Sequence, residues 1–346
     1  MLDVRGTRIF VGLSGGVDSG VTVALLQRAG AQVTGVFIKG WYPPGMPCTW
    51  AEDRRDAMRV AAHLGLPFQT LDASLEYKRA VIDYLLAEYR AGRTPNPDIM
   101  CNREVKFGVF HRFAKAQGAD CIATGHYARA ERAAGITKLM RGVDESKDQS
   151  YFLWAVPKEA LDDTLLPLGG MHKEEVRKTA ARLNLPNARK KDSQGICFLG
   201  NISVEDFLRE EFHPEAGRAL SVNGAEVGAH GGAVLYTLGE RVALSNAVPG
   251  PWYVVAKDLV ANDITVSKER ASGGSGAALH LTSTNWFNDT PDGEVEAQYR
   301  YHGPRVTGAF ADHTFTPHSG LPEPIACGQS LVVYRGDECL GGGIIE

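Results

Sequence analysis

Over residues 1–130, short runs rich in β-branched residues alternate with longer amphipathic stretches, and few folds accept that rhythm. Arg8-Ile9-Phe10-Val11-Gly12-Leu13 reads as a buried strand and 18–29 as a helix stopped by Gly30. Residues 32–38 give the next strand, 51–64 a helix ended by Gly65, 68–72 a third strand and 74–91 a long helix. A further helix over 104–117 leads to the strand 121–124. Strands spaced by helices of this length predict an α/β fold, a parallel sheet with helices on both faces, whose ligands lie at the carboxyl ends of the strands.

The texture changes after residue 203. Helical periodicity fades beyond 207–212, and glycine-rich turns alternate with short strands such as 231–236 and 252–255. The run Ala271-Ser272-Gly273-Gly274-Ser275-Gly276 has linker composition. The remainder, through Gln329-Ser330-Leu331-Val332-Val333-Tyr334, reads as an antiparallel β domain or barrel. The expected division is therefore 1–203 for the α/β unit, 204–274 for a small β-rich central domain and 275–346 for a C-terminal β-barrel.

No apolar run approaches the roughly 20 residues of a membrane span, and the start shows no secretory pattern, so a cytoplasmic location and no membrane partner are expected. Six cysteines, none spaced as C-x-x-C, argue against a disulfide scaffold, a zinc ribbon or an iron–sulfur cluster. Residues 1–200 hold 28 Lys and Arg against 22 Asp and Glu, whereas 201–346 hold 9 against 19. The basic front half is the one suited to facing phosphates.

Ser14-Gly15-Gly16-Val17-Asp18-Ser19 follows the first strand and opens the first helix. Helix N-termini offer unpaired N–H groups and the positive end of a dipole, which together bind phosphate. Gly15 and Gly16 let the backbone approach closely, Ser14 and Ser19 add hydroxyls, and Asp18 could hold a magnesium ion. No Lys-Ser or Lys-Thr follows the glycines, so this is no Walker A loop, and G-x-G-x-x-G is absent as well. The bland alternative is a glycine turn capped by Ser or Asp. The loop resembles the SGGxDS signature of the PP-loop ATP-pyrophosphatases, enzymes that cleave ATP between the α and β phosphates to activate an oxygen by adenylation.

Thr94-Pro95-Asn96-Pro97-Asp98-Ile99-Met100-Cys101-Asn102 lies between two helical stretches, and its prolines predict a stiff loop presenting Asp98 beside Cys101. Cys197 follows the basic run Arg189-Lys190-Lys191, and nearby cations favour a thiolate. Cys121, Cys327 and Cys339 read as small buried hydrophobes, and Cys48 sits in a proline-rich segment.

The motifs 12–19, 91–98, Cys101-Asn102, Lys106-Phe107, 123–127, 147–153, Lys191-Asp192-Ser193, 195–198 and 339–345, in this order, resemble the bacterial tRNA 2-thiouridylases over nearly the whole chain. That resemblance implies ATP with magnesium held by Gly12, Leu13, Ser14, Gly15, Gly16, Val17, Asp18, Ser19, Ile38 and Gly125. It implies Asn96, Pro97 and Asp98 at the target base, Asp98 as general acid or base, Cys197 as the persulfide carrier and Cys101 as the second, nucleophilic cysteine. It also implies tRNA contacts from Lys147, Asp148, Gln149, Tyr299 and Arg300. The partners it implies are tRNAs for Lys, Glu and Gln with a wobble uridine, and a sulfur-donor protein or cysteine desulfurase. Two departures stand out: Ile38 occupies a position often filled by methionine, and residues 41–48 lack the acidic residues of some relatives. Competing readings are a synthetase acting on a small substrate through the same loop, and a non-catalytic tRNA-binding protein.

Overall fold

A computed structural model describes residues 4–43, 45, 50–192, 203–245, 248–270, 273 and 278–346. Cys48 and Cys197 lie outside the described residues.

The N-terminal sheet has the order β3-β2-β1-β4-β7, all parallel, built from β1 (Arg8–Gly12), β2 (Gln32–Lys39), β3 (Phe68–Asp72), β4 (Cys121–Ala123) and β7 (Thr164–Leu165). Ile9 and Val11 on one face pack with Val23 and Leu26 of α1 (Val17–Arg28) and Ala57 and Val60 of α2 (Trp50–Leu64). Phe10, on the other face, packs with Phe107 and Phe110. Burial on both faces is why these strands read as continuous apolar runs. Because β1 lies between β2 and β4, a crevice opens at their carboxyl ends, where such sheets bind ligands.

Two long helices separate β3 from β4 in the chain. The first, α3, runs from Ser74–Tyr77 through a π-wound stretch, Lys78–Asp83, to Tyr84–Arg90. The second, α4, is where the structure corrects the sequence reading. It starts at Pro97, runs through Pro97–Met100 and a π-wound Cys101–Val109, and ends with Phe110–Ala116. Asp98 and Cys101 are therefore helical, not on a loop. Proline at the first helical position loses no hydrogen bond, because that N–H has no intrahelical partner in any case, and Asn96 caps the helix.

After β4 the chain makes a hairpin that the sequence reading did not foresee, β5 (Ala128–Ala133) with β6 (Ile136–Arg141). Three short helices follow along the α/β unit and into the next: α5 (Lys158–Asp162), α6 (Lys173–Arg182) and α7 (Val204–Phe212). The central sheet has the order β10-β11-β12-β8-β9, from β8 (Gly217–Ser221), β9 (Glu226–His230), β10 (Arg241–Val242), β11 (Trp252–Asp258) and β12 (Asp263–Ser267). Residues 231–236, expected as a strand, instead form a 3-10 turn at Ala233–Leu235. Gly232 has φ 122° there and packs against Pro214, which bars an extended path.

Six C-terminal strands, β13 (Leu279–Trp286), β14 (Gly293–Gln298), β15 (Val306–Ala311), β16 (Thr314–Pro317), β17 (Ser330–Arg335) and β18 (Glu338–Ile345), close into an antiparallel barrel through the β13–β18 pairing. β18 also pairs with β6, so the hairpin of the α/β unit extends the barrel sheet. At that seam Arg141 bonds Asp148 at 3.2 Å with both side chains 9% exposed, and its guanidinium lies 3.6 Å from the Tyr334 ring centroid. The Cys339 thiol is buried there, as expected, and burial pushes its pKa up. Cys121 is only half-buried and Cys327 is exposed, against the expectation for both.

Candidate active site

The glycine loop lies at the crevice. Gly15 has φ 81°, and a Cβ there would stand 2.5 Å from the Asp53 carbonyl of α2, so both conformation and space require glycine. Gly16 is the N-cap of α1 and supplies no side-chain cap, leaving the helix start to offer its N–H groups to an anion. Ser19 accepts from Ser14 N at 3.2 Å and donates to Gly16 O at 3.1 Å, so it closes the loop on itself. Asn187 clamps it from outside, donating to Gly15 O and Gly16 O at 2.9 Å each. Leu13 N bonds Val36 O at 2.8 Å, and Ile38 reaches the flank of Gly12 from the end of β2. Gly125 lies against α1 itself: a Cβ would stand 3.0 Å from Asp18 C and Ser19 N. Its smallness thus serves the contact between β4 and the loop.

Asp18 is not a bare carboxylate. Lys173 Nζ donates to both of its oxygens at 2.7 Å and Tyr127 Oη to one at 2.8 Å. Burial, with Asp18 adding, raises the Tyr127 pKa, so the phenol stays a donor. Lys173 also pairs with Asp192 at 3.0 Å, as do Arg177 at 2.5 Å and Lys147 at 3.5 Å. Burial works against the Asp192 carboxylate, yet these cations hold its pKa below the ordinary value. Asp192 is the last described residue before 203, so the chain enters the stretch holding Cys197 beside the nucleotide loop. Lys173 and Asn187 were not singled out by the sequence, whereas Tyr127 closes the motif 123–127; each reaches the loop from more than 100 residues away.

The second feature is the start of α4. Asn96 Oδ1 accepts from Asp98 N at 3.1 Å and Ile99 N at 3.4 Å, so the oxygen expected at a base edge caps the helix instead. Asp98 and Cys101 stand three residues apart on one helical face. Asp98 is half-buried, and desolvation raises its pKa while Lys106 pulls it down. Cys101 is buried and joins Tyr77, Leu85 and Met100 in a cluster with Phe207, Leu235, Trp252 and Ile264 of the central domain. Lys106 also acts on His126, whose pKa burial drives well below its ordinary value. His126 follows Gly125 and packs on Phe107 with ring centroids 5.7 Å apart.

The residues expected to face tRNA divide. Lys147 and Gln149 are partly exposed. Asp148 is turned inward, accepting from Gly142 N, Ser150 N and Ser150 Oγ besides its pairing with Arg141. Tyr299 is buried, its hydroxyl bonded to the backbone of Glu323. Arg300 donates to Pro324 O and pairs with Glu323. The side chain presented outward is Tyr301, 37% exposed and 4.3 Å from the Phe152 ring. Residues 299–301 lie beyond β14, which ends at Gln298, so no strand alternation tells which of them faces outward.

This arrangement defines a class: an α/β protein with an uncapped, glycine-led helix start at the carboxyl edge of a parallel sheet and, on a second helix, an acid and a thiol one helical turn apart. Comparison with known proteins places the chain within that class. Residues 7–201 match the tRNA methyl transferase HUP domain, 205–268 the tRNA methyl transferase PRC-barrel domain and 277–345 the aminomethyltransferase beta-barrel domain. The tRNA-specific 2-thiouridylases MnmA of two Streptococcus thermophilus strains, CNRZ 1066 and LMG 18311, are each 40% identical over 364 aligned positions, covering 100% of this chain and 97% of theirs. The chain belongs to the tRNA-specific 2-thiouridylase family. Among solved structures, the U34-tRNA thiolase NcsA of Methanococcus maripaludis is 15% identical with a TM-score of 0.38, covering 61% of this chain and 68% of that one, a likeness too slight to carry a conclusion.

Proposed function

We infer that the chain is a tRNA 2-thiouridylase that spends ATP to replace the C2 oxygen of a wobble uridine with sulfur. The observation that carries the reading is a chain of contacts between two features: Gly125 lies against Asp18 and Ser19 at the α1 start, and His126 beside it packs on Phe107 of α4, the helix that carries Asp98 and Cys101. The C2 oxygen is a poor leaving group; adenylation makes it a good one and releases pyrophosphate. The loop N–H groups and Lys173 stabilise phosphate charge. Asp18 would hold a magnesium ion by exchanging Lys173, which donates to both of its oxygens.

Asp98, its pKa raised by burial, is suited to proton transfer at the base. In the sulfur step the terminal sulfur of a Cys197 persulfide bonds to C2 and AMP leaves. The Cys101 thiolate then attacks Cys197 Sγ, breaking the S–S bond, leaving sulfur on C2 and a Cys101–Cys197 disulfide for external reduction. Tyr301 and Lys147 are the exposed groups suited to tRNA. The acceptors are tRNAs for Lys, Glu and Gln, the sulfur comes from a donor protein or cysteine desulfurase, and the setting is the cytoplasm. Among the described residues no helix is long and apolar enough to cross a membrane.

The test is incubation with tRNA, ATP, magnesium and a sulfide source, followed by mass spectrometry of the digested tRNA. A gain of about 16 Da on uridine, with AMP and pyrophosphate formed, is expected. AMP formation independent of tRNA, or tRNA binding with no AMP, would sink the reading.

A further inference from the structure

Asn102 follows Cys101 in α4 and is 2% exposed. Its Nδ2 donates to the Phe152 carbonyl at 3.0 Å, which fixes the amide, since the reverse orientation would set two oxygens against each other. Its Oδ1 is then a buried acceptor with no hydrogen-bond partner among the described residues. Leaving such a group unpaired costs about 1–3 kcal/mol, so it calls for an explanation. Asn102 stands four residues after Asp98 and four before Lys106, on the face that carries the acid. The Phe152 that pins the amide is the residue whose ring packs on the exposed Tyr301.

We propose that Asn102 Oδ1 receives the N3–H of the target uracil and is the group by which the site accepts uridine and refuses cytidine. The inference rests on the thiouridylase reading above. Uracil and cytosine both carry the C2 oxygen on which that chemistry operates, so the reacting atoms cannot tell them apart. They differ at N3, a donor in uracil and an acceptor in cytosine. A carbonyl pinned as this one is pairs with the first and meets the second lone pair to lone pair. A buried setting with no water to mediate makes that mismatch costly. Cys101 is itself only 5% exposed, so a base that reaches the thiol must part packing along α4.

The test uses two tRNA transcripts identical except for uridine or cytidine at the wobble position, with thiolation rates read by mass spectrometry. The wild-type protein should prefer uridine by about 100-fold or more. Asn102→Ala should slow uridine about 10- to 100-fold and leave cytidine within about twofold, collapsing the ratio. If Asn102→Ala does not fold, Asn102→Ser is read in the same way. A purely structural role would slow both transcripts alike with the ratio intact, and that result overturns the inference, as does a wild type equally active on cytidine. A wild type that thiolates neither transcript overturns the reading beneath it, and the inference with it.

Discussion

Two helix starts of the α/β unit are built in opposite ways. At α1 the backbone is the instrument. Gly15 and Gly125 are glycines because neighbouring backbone lies within 2.5 and 3.0 Å of where a Cβ would be, and Asn187 braces the loop from outside. At α4 the side chains are the instrument. Asn96 caps the start with its own oxygen, so few N–H groups are left for an anion, and the face beyond carries Asp98, Cys101 and Asn102. The first start suits a ligand held by shape and dipole, the second a substrate met by reactive groups. The contrast teaches that a helix N-terminus becomes a phosphate site only where its own cap is withheld.

The largest expected effect tests the reactive start. Cys101→Ser and Asp98→Asn should each lower thiolation about 10³-fold or more with little change in the thermal midpoint, measured by mass spectrometry and calorimetry. Full activity in either variant would remove α4 from the chemistry. Next comes the braced start: Gly15→Val should raise the KM for ATP about 100-fold and lower stability, because a Cβ meets Asp53 O and the φ is left-handed. An unchanged KM would mean that the loop does not hold nucleotide. Lys173→Met removes a charged partner of Asp18 and should raise the KM for ATP about tenfold while tRNA binding holds.

The smallest effect concerns pH. Burial raises the Asp98 pKa above its ordinary 3.8, so ionising it costs the folded state stability. That cost is absent below pH 3.8, grows as pH rises and is complete above the folded-state pKa. Asp98→Asn should therefore stabilise the protein slightly at neutral pH, a gain that vanishes in acid, followed by urea unfolding at several pH values. A gain independent of pH would deny Asp98 its buried, raised state. The same substitution at the solvated start of α1, Asp18→Asn, should show no such stabilisation, since it would break the pairing with Lys173.

What the sequence determined by itself was whatever is local. The β-α rhythm fixed the parallel sheet, because burial of both strand faces writes apolar runs such as 9–11, and the glycine loop stood out because strand, loop and helix are adjacent in the chain. Proline misled at Pro97, where the signal that breaks a helix is the same one that begins it. Tertiary structure alone decided the rest. Lys173 and Tyr127 on Asp18, β6 joined to β18, and the orphan carbonyl of Asn102 all depend on segments far apart in the chain. Contacts of that kind follow from how the domains close on one another, and no periodicity along the chain encodes them.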